Sequence, residues 1–425
     1  MLFLHLEKRN ASFAYRYNNA ELAFRATINM LKDKIKNLAQ AYHADVIKMR
    51  RHLHENPELS YEEVETGKFV ADKLKEFGIP FVHGVADNGV VGLIEGRNPH
   101  KKVVALRADM DALPIKEAND VPYKSKKEGI MHACGHDAHT SSLLGAAKIL
   151  NGIKDDFEGT IKLIFQPAEE KTPGGASIMI KEGVLENPKP LSIIGQHVHP
   201  PLEAGKVGLK GGIYMASSDE LYLTIKGKGG HGAMPQECID PILIAAHIIT
   251  ALQQIVSRNA DPSVPTVLTL GKINSKGGAT NVIPDEVRIE GTFRTLSETW
   301  RNEAKRRMKK MAEGIADAMG GECIFTIEHG YPVLFNDEAL TKQVKGFMIE
   351  YAGAENVMDL PMRMTSEDFA YYSQQMPACF YRLGTGNKAR GITSGLHTDT
   401  FDIEESSLEL SIGLLAWLAV KELEN

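Results

Sequence analysis

Apolar residues recur at helical spacing from Lys32 to Glu55 and again from Val64 to Phe77, where Gly78 suits a helix stop. The period then shortens. Gly89–Glu95 and Lys102–Arg107 read as strands, the second apolar through its middle, as for a strand covered on both faces. It runs straight into Asp109-Met110-Asp111. A helix is expected from His139 to Leu150, then a strand, Thr160–Phe165, that ends at Gln166-Pro167-Ala168-Glu169-Glu170. A further strand, Leu191–Gly195, ends at Gln196-His197-Val198-His199. Three strand-like runs thus deliver Asp, Glu or His at their carboxyl ends, the edge at which open α/β sheets bind ligands.

The pattern changes between Tyr214 and His329. Strand Glu220–Lys226, helix Pro241–Ser257, strands Val267–Ile273 and Glu286–Arg294, helix Trp300–Met319 and strand Glu322–Glu328 follow in turn, a ferredoxin-like βαββαβ order. Helices Glu338–Tyr351 and Ser366–Gln375, strand Cys379–Leu383 and a last helix from Glu404 to about Glu422 come next. Because Leu396-His397-Thr398-Asp399 lies in this final stretch, it is expected to rejoin the first domain. The division is therefore 30–213 and 330–425 for one domain with 214–329 inserted. Residues 1–29 have weak periodicity and read as a non-native or flexible extension, since a clear amphipathic helix opens at Met30.

A chain of 425 residues exceeds an ordinary single core, which agrees with two domains. Apolar content of 43% and charged content of 24% are those of a soluble globular protein. A net charge of -6 with no basic domain argues against nucleic acid as a partner. The basic run Lys305–Lys310 sits on a helical stretch with acidic neighbours and reads as a solvated face. No window has the eighteen or so uninterrupted apolar residues of a membrane span, and the amino terminus lacks a secretory apolar region. Cys134, Cys238, Cys323 and Cys379 lie far apart without a paired framework, which fits a reducing compartment, the cytoplasm.

The densest chemistry is His132-Ala-Cys134-Gly-His136-Asp137-Ala-His139, with one thiol, three imidazoles and a carboxylate. Thiolate and neutral imidazole both ligate borderline divalent metals once deprotonated. Taken alone, the cluster equally fits a small buried Cys beside a solvent-facing His run. Acidic and histidine partners elsewhere have to decide.

Those partners come in ordered motifs: Arg51-His52-Leu53-His54-Glu55-Asn56-Pro57-Glu58, Arg107-Ala-Asp109-Met-Asp111-Ala-Leu-Pro114, Gln166-Pro-Ala-Glu169-Glu170, Gly229-Gly-His231-Gly232, Thr280-Asn281-Val-Ile-Pro284, Thr365-Ser-Glu367-Asp368-Phe369 and His397-Thr398. Through them nearly all of the chain after Met30 resembles the metal-dependent aminoacylase and carboxypeptidase family, in particular its N-acyl-amino-acid amidohydrolase branch, which includes hippurate and auxin-conjugate hydrolases. The resemblance implies an α/β fold: a metallopeptidase-like catalytic domain with a mixed, largely parallel sheet flanked by helices, plus the inserted ferredoxin-like domain. It implies two divalent metal ions per chain, manganese or zinc, with Cys134, His136, Glu170, His197 and His397 as ligands and Cys134 bridging. A shared ligand needs more than one lone pair, which a thiolate has.

By the same resemblance Glu169 is the general base and acid, and Asp111 orients a metal-binding imidazole. Asp109 stands where many relatives outside the branch have His. Both aspartates would also suit caps on the following turn. His231 matches a histidine that reaches the active site of the partner subunit and polarises the scissile carbonyl; its flanking glycines would equally suit a plain surface turn. Asn281 and Arg294 are candidates for holding the substrate carboxylate or the oxyanion, with a structural salt bridge as the other reading of Arg294. His52 and His54, two apart on a helix, face different ways. His132, His139 and His199 border the site as supports.

The implied function is hydrolysis of the amide bond of an N-acyl or N-aroyl amino acid by metal-activated water, giving a carboxylate and a free amino acid. A homodimer or higher homo-oligomer formed through the inserted domain is the implied assembly, with no nucleic-acid or membrane partner. A dipeptidase or carboxypeptidase acting on short peptides would use the same centre. A catalytically silent binding protein of this fold is the remaining alternative, and the presence of every expected ligand and of the base argues against it.

Overall fold

A computed structural model describes residues 29–425. The extension expected over residues 1–29 falls, but for Asn29, outside them. The helix that ends at Glu55 turns Ile35, Ala39, Val46, Met49 and Leu53 inward, the three-and-four spacing of an amphipathic helix. It packs against the helices His136–Gly152 and Ser407–Glu424. A Cβ on Gly145 would stand 2.6 Å from Ile412 Cγ2 and 2.7 Å from Val46 Cγ2, so glycine sets the close approach of all three.

The main sheet has eight strands, in spatial order Phe81–Val85, Gly89–Glu95, Thr160–Gln166, Val103–Asp109, Ser192–Glu203, Ala378–Gly386, Val207–Leu209 and Val357–Asp359. The four central strands run parallel, and the outer two of them each pair antiparallel with the next strand outward, giving the mixed, largely parallel sheet expected. The strand expected to stop at Gly195 continues to Glu203. Its pairing with Val103–Asp109 ends at the Arg107–Gly195 register, while pairing with Ala378–Gly386 carries on past His197 and His199. Both histidines therefore lie on a strand with one free edge at the mouth of the sheet.

The helix expected over Ser366–Gln375 is confined to Ala370–Ser373. Upstream, the Asp368 N–H is given to the Glu169 carboxylate, and Ala370 and Tyr371 bond three positions back to the Glu367 and Asp368 carbonyls, so the chain turns there without an α-helical ladder. The helix expected from His139 begins instead at His136, after Gly135 in the left-handed region at φ 83°.

A separate antiparallel sheet, ordered Thr266–Ser275, Glu286–Thr295, Ser217–Lys226, Glu322–His329, carries the helices Pro241–Leu252 and Glu298–Ala318 on one face. It has its own core, which includes Leu221, Leu223, Ile248, Phe293 and Met308. Pro241–Asn259 has the length and apolar content of a membrane-crossing helix by composition alone. Ile244, Ala245, Ile248 and Leu252 face the sheet, while Ile242 and Leu243 stay exposed. The Thr266–Ser275 strand is an edge, with Val267 and Ile273 exposed on it.

Gly145→Val is expected to destabilise the protein by about 1–3 kcal/mol through overpacking. Thermal unfolding checks this, and adding Val46→Ala should restore part of the loss; no recovery would show that the strain lies elsewhere.

Candidate metal centre

The mouth of the parallel strands meets the amino end of the helix His136–Gly152. A Cβ on Gly135 would lie 2.5 Å from Val198 Cγ2, so only glycine lets the chain turn here between Cys134 and His136. His136 Nδ1 sits 3.2 Å from Asp111 Oδ1. Its Nε2 is buried with no hydrogen-bond partner among the described residues, 3.8 Å from Asp109 Oδ2 and 4.0 Å from both Glu169 Oε2 and Glu170 Oε1. Cys134 Sγ lies 3.4 Å from His197 Nε2. His197 Nδ1 donates to Val198 O at 2.8 Å, which leaves the Nε2 lone pair facing the sulfur.

His397 adopts φ 60°, and its backbone N–H donates to Ala133 O at 2.8 Å. Its Nε2 comes 3.1 Å from Glu170 Oε1, yet that oxygen has no hydrogen-bond partner: the two atoms are close without hydrogen-bond geometry, as two ligands of one ion are. Candidate ligand atoms of Cys134, His136 and His197 lie within 4.8 Å of one another, as do those of Cys134, Glu170 and His397. The two triads share Cys134.

Thiol, imidazole and carboxylate together suit a borderline divalent ion. The unpartnered His136 Nε2 fits such an occupant, since a buried polar atom left unpaired costs about 1–3 kcal/mol. The charge balance agrees. Burial works against protonated His136, but Asp109, Asp111 and Glu170 outweigh it and push its pKa up to about 10. Burial, then Glu170 and Glu169, push the Cys134 thiol up as well. The centre holds protons where cations would satisfy the same carboxylates.

Asp111 makes no turn cap of the ordinary kind. Its Oδ1 accepts the Glu169 N–H at 3.0 Å, and its Oδ2 accepts the Glu170 N–H at 2.9 Å and Ser60 Oγ at 2.6 Å. One carboxylate thus fixes His136 and the backbone of both glutamates. Asp109 Oδ1 takes His139 Nδ1 at 2.6 Å and Oδ2 takes Arg107 Nη1 at 2.6 Å, while His139 Nε2 accepts the Val198 N–H at 2.8 Å. Asp109, His136 and His139 are also close enough to suggest a metal group, but the partners of Asp109 and His139 are already taken.

Beyond the strand end at Gln166, Ala168 turns the chain at φ 53°, so Glu169 and Glu170 diverge. Glu169 is buried, accepts the Asp368 N–H at 3.3 Å, and is held well above the usual carboxylate range by burial, then by Glu367 and Glu170.

The remaining candidates lie apart. His231 and Asn281 are both exposed and are neighbours on a two-stranded ribbon, in which His231 pairs with Val282 and Gly232 N–H donates to Asn281 O at 2.8 Å. None of their hydrogen bonds reaches the buried cluster. Arg294 makes no salt bridge among the described residues; its Nη1 donates to Met364 O at 3.3 Å and to Ser366 Oγ at 3.1 Å. His54 is buried between Asp137 and Glu117, whereas His52 stacks on Phe69 at the surface. His132 is buried with both ring nitrogens unpartnered.

Sequence reasoning gave no role to Arg107, Ser60 or Tyr331, whose hydroxyl donates to Glu169 O at 2.5 Å. For Arg107 a signal existed: it is the lone cation in the apolar run Val103–Ala108.

The fold and the centre define a metal-dependent hydrolase. Residues 105–421 match the peptidase family M20/M25/M40, and the chain belongs to that family. It is 43% identical over 382 residues to IAA-amino acid hydrolase ILR1-like 4 of Arabidopsis thaliana, covering 89% of this chain and 86% of that one. It is 46% identical over 310 residues to an N-acyl-L-amino acid amidohydrolase of Geobacillus stearothermophilus, covering 73% of this chain and 83% of the relative. A crystal structure from Bacillus subtilis, described as a dinuclear metal-binding peptidase of the M20 family, superposes with a TM-score of 0.76 at 36% identity, covering 91% of this chain and 99% of that one.

Asp111→Asn is expected to weaken Zn²⁺ or Mn²⁺ retention about 10- to 100-fold, because His136 loses its orienting partner. Equilibrium dialysis checks this, and unchanged retention would show that His136 is oriented by other groups.

Proposed function

We propose that this chain is an amidohydrolase that cleaves N-acyl or N-aroyl amino acids to a carboxylate and a free amino acid, with two divalent ions per chain, manganese or zinc. The observation that carries the reading is the pair of ligand triads sharing Cys134, with the buried carboxylate of Glu169 beside them. Cys134, His136 and His197 would hold one ion, and Cys134, Glu170 and His397 the other. Bound there, the ions would supply Lewis acidity toward the scissile carbonyl and toward water.

The chain's own residues divide the rest of the work. Glu169 takes a proton from the attacking water and delivers it to the leaving amine nitrogen, a transfer that burial and its acidic neighbours favour by raising its proton affinity. Asp111 keeps His136 and the Glu169 backbone in place. Asn281 and Arg294 take the substrate carboxylate or the developing oxyanion, and His231 of the partner subunit polarises the carbonyl.

That last role requires an oligomer, and exposed apolar surface on the smaller sheet supports one. Ile242, Leu243, Val267 and Ile273 lie along one helix and an unpaired edge strand, which is where a second copy would add. We take 214–329 as a lid and dimerisation domain inserted between 30–213 and 330–425. Four free cysteines suit a cytoplasmic enzyme.

Glu169→Gln should lower kcat at least about 100-fold while metal content stays that of the wild type. Assays with hippurate-like and dipeptide substrates, alongside metal analysis, test this; substantial residual turnover would overturn the role of Glu169.

A further inference from the structure

Beside the centre lies a second concentration of charge, of the opposite sign. Arg382 is paired in register with His197 across the parallel strands Ala378–Gly386 and Ser192–Glu203, and its side chain is buried. Its partners are weak: Nε donates to Tyr214 Oη at 3.3 Å, Nη2 lies 3.0 Å from Met215 Sδ, and the guanidinium carbon stands 5.2 Å from the Phe380 ring centre. Arg363 is its neighbour, on a segment bridged to Met215. Arg363 Nη1 donates to His199 Nδ1 at 3.2 Å, and its Nε is buried without a partner among the described residues.

Neither arginine has a carboxylate within salt-bridge distance among the described residues. The acid that feels Arg382 is Glu367, which is already engaged by Arg107 at 3.1 Å. Burial, then the charge of Arg382, hold Arg363 below the usual guanidinium range. Two adjacent cations with no counter-ion are unfavourable in a buried setting, and an arriving anion would relieve both.

One substrate carboxylate does not account for them. In the reading above, on which this inference rests, Arg294 and Asn281 take that carboxylate or the developing oxyanion, and with the carboxylate assigned to them Arg363 and Arg382 are left without an anion. Arg294 binds the residues just after Arg363, at Met364 and Ser366, and Arg382 touches Met215, to which Arg363 is bridged, so all three guanidinium groups are tied to one segment. We propose that Arg363, backed by Arg382, binds a second carboxylate, and that the preferred substrates are dianionic N-acyl amino acids. The second carboxylate lies either in the amino-acid side chain or at the far end of a dicarboxylic acyl group. Both sources offer the same planar anion to a guanidinium.

Acid and amide isosteres test this without depending on any variant. The metal-loaded wild-type protein is assayed on N-acetylglutamate against N-acetylglutamine, and on N-succinylalanine against its terminal amide. For one of the two pairs, which identifies the source, kcat/KM should favour the acid about 10- to 100-fold, mainly through KM. Arg363→Met should bring that ratio toward one, and Arg363→Lys should restore part of it. Equal rates on acid and amide in both pairs, or a ratio that survives Arg363→Met, would overturn this inference while leaving the amidohydrolase reading intact. No hydrolysis of any of the four compounds, nor of hippurate, would overturn both.

Discussion

One buried guanidinium holds the centre together. Arg107, in the middle of the main sheet, donates through Nε to Gln166 at 2.9 Å, through Nη1 to Asp109 at 2.6 Å and through Nη2 to Asp368 at 2.8 Å, with Glu367 at 3.1 Å. Burial alone would disfavour its charge; Asp109, Glu367 and Asp368 reverse that and hold its pKa far above the ordinary value. Its partners come from two adjacent strand ends and from a segment some two hundred and sixty residues downstream. Docking that segment also positions Glu169, because Asp368 donates its backbone N–H to the Glu169 carboxylate. Removing a partner from a buried ion pair costs about 3–5 kcal/mol, and here the loss would leave three carboxylates facing one another.

The centre nevertheless has more acid than Arg107 can balance. Asp109, Asp111, Glu169 and Glu170 all surround His136, and the imidazole responds by binding a proton tightly. Divalent ions are the natural remedy, since they neutralise carboxylates while releasing the protons on His136 and Cys134. The hydrogen bonds around the candidate ligands act in the same direction. Asp111 fixes His136 through Nδ1 and the Val198 carbonyl fixes His197 through Nδ1, so both imidazoles turn Nε2 toward the cluster.

Much of this was legible in the sequence because the chemistry follows strand ends. Asp109, Glu169, Glu170 and His197 each lie just beyond or near the end of an apolar run, and the parallel sheet gathers those ends along one edge. Other features were not legible, for physical reasons. Ser366–Gln375 has helical periodicity, but Asp368 gives its backbone N–H to Glu169 and its side chain to Arg107 and Gln166, and Ala370 and Tyr371 after it bond only three positions back. The extension of the Ser192–Glu203 strand depends on a neighbour far downstream, Ala378–Gly386, which no local window contains. Arg363 and Arg382 look like ordinary polar residues of a loop and a strand until the fold shows that, among the described residues, no carboxylate pairs with them.

The two parts of the candidate site differ in how far one chain completes them. His136, His197, Glu169 and Asp111 are held by hydrogen bonds drawn from several distant segments, so their geometry is built before any substrate arrives. His231 and Asn281 sit instead on an exposed two-stranded ribbon, with backbone pairing to each other's strands and no bond to the centre. Arg294 stands between these extremes, since it grips the 364–366 segment that leads directly into Glu367 and Asp368. A rigid centre and a loosely held ribbon make sense together if metal and proton transfer demand fixed distances while substrate entry demands movement. The segment 363–368 then couples them, with one end on the guanidinium groups that would meet the substrate and the other on Asp368, whose backbone N–H holds the Glu169 carboxylate.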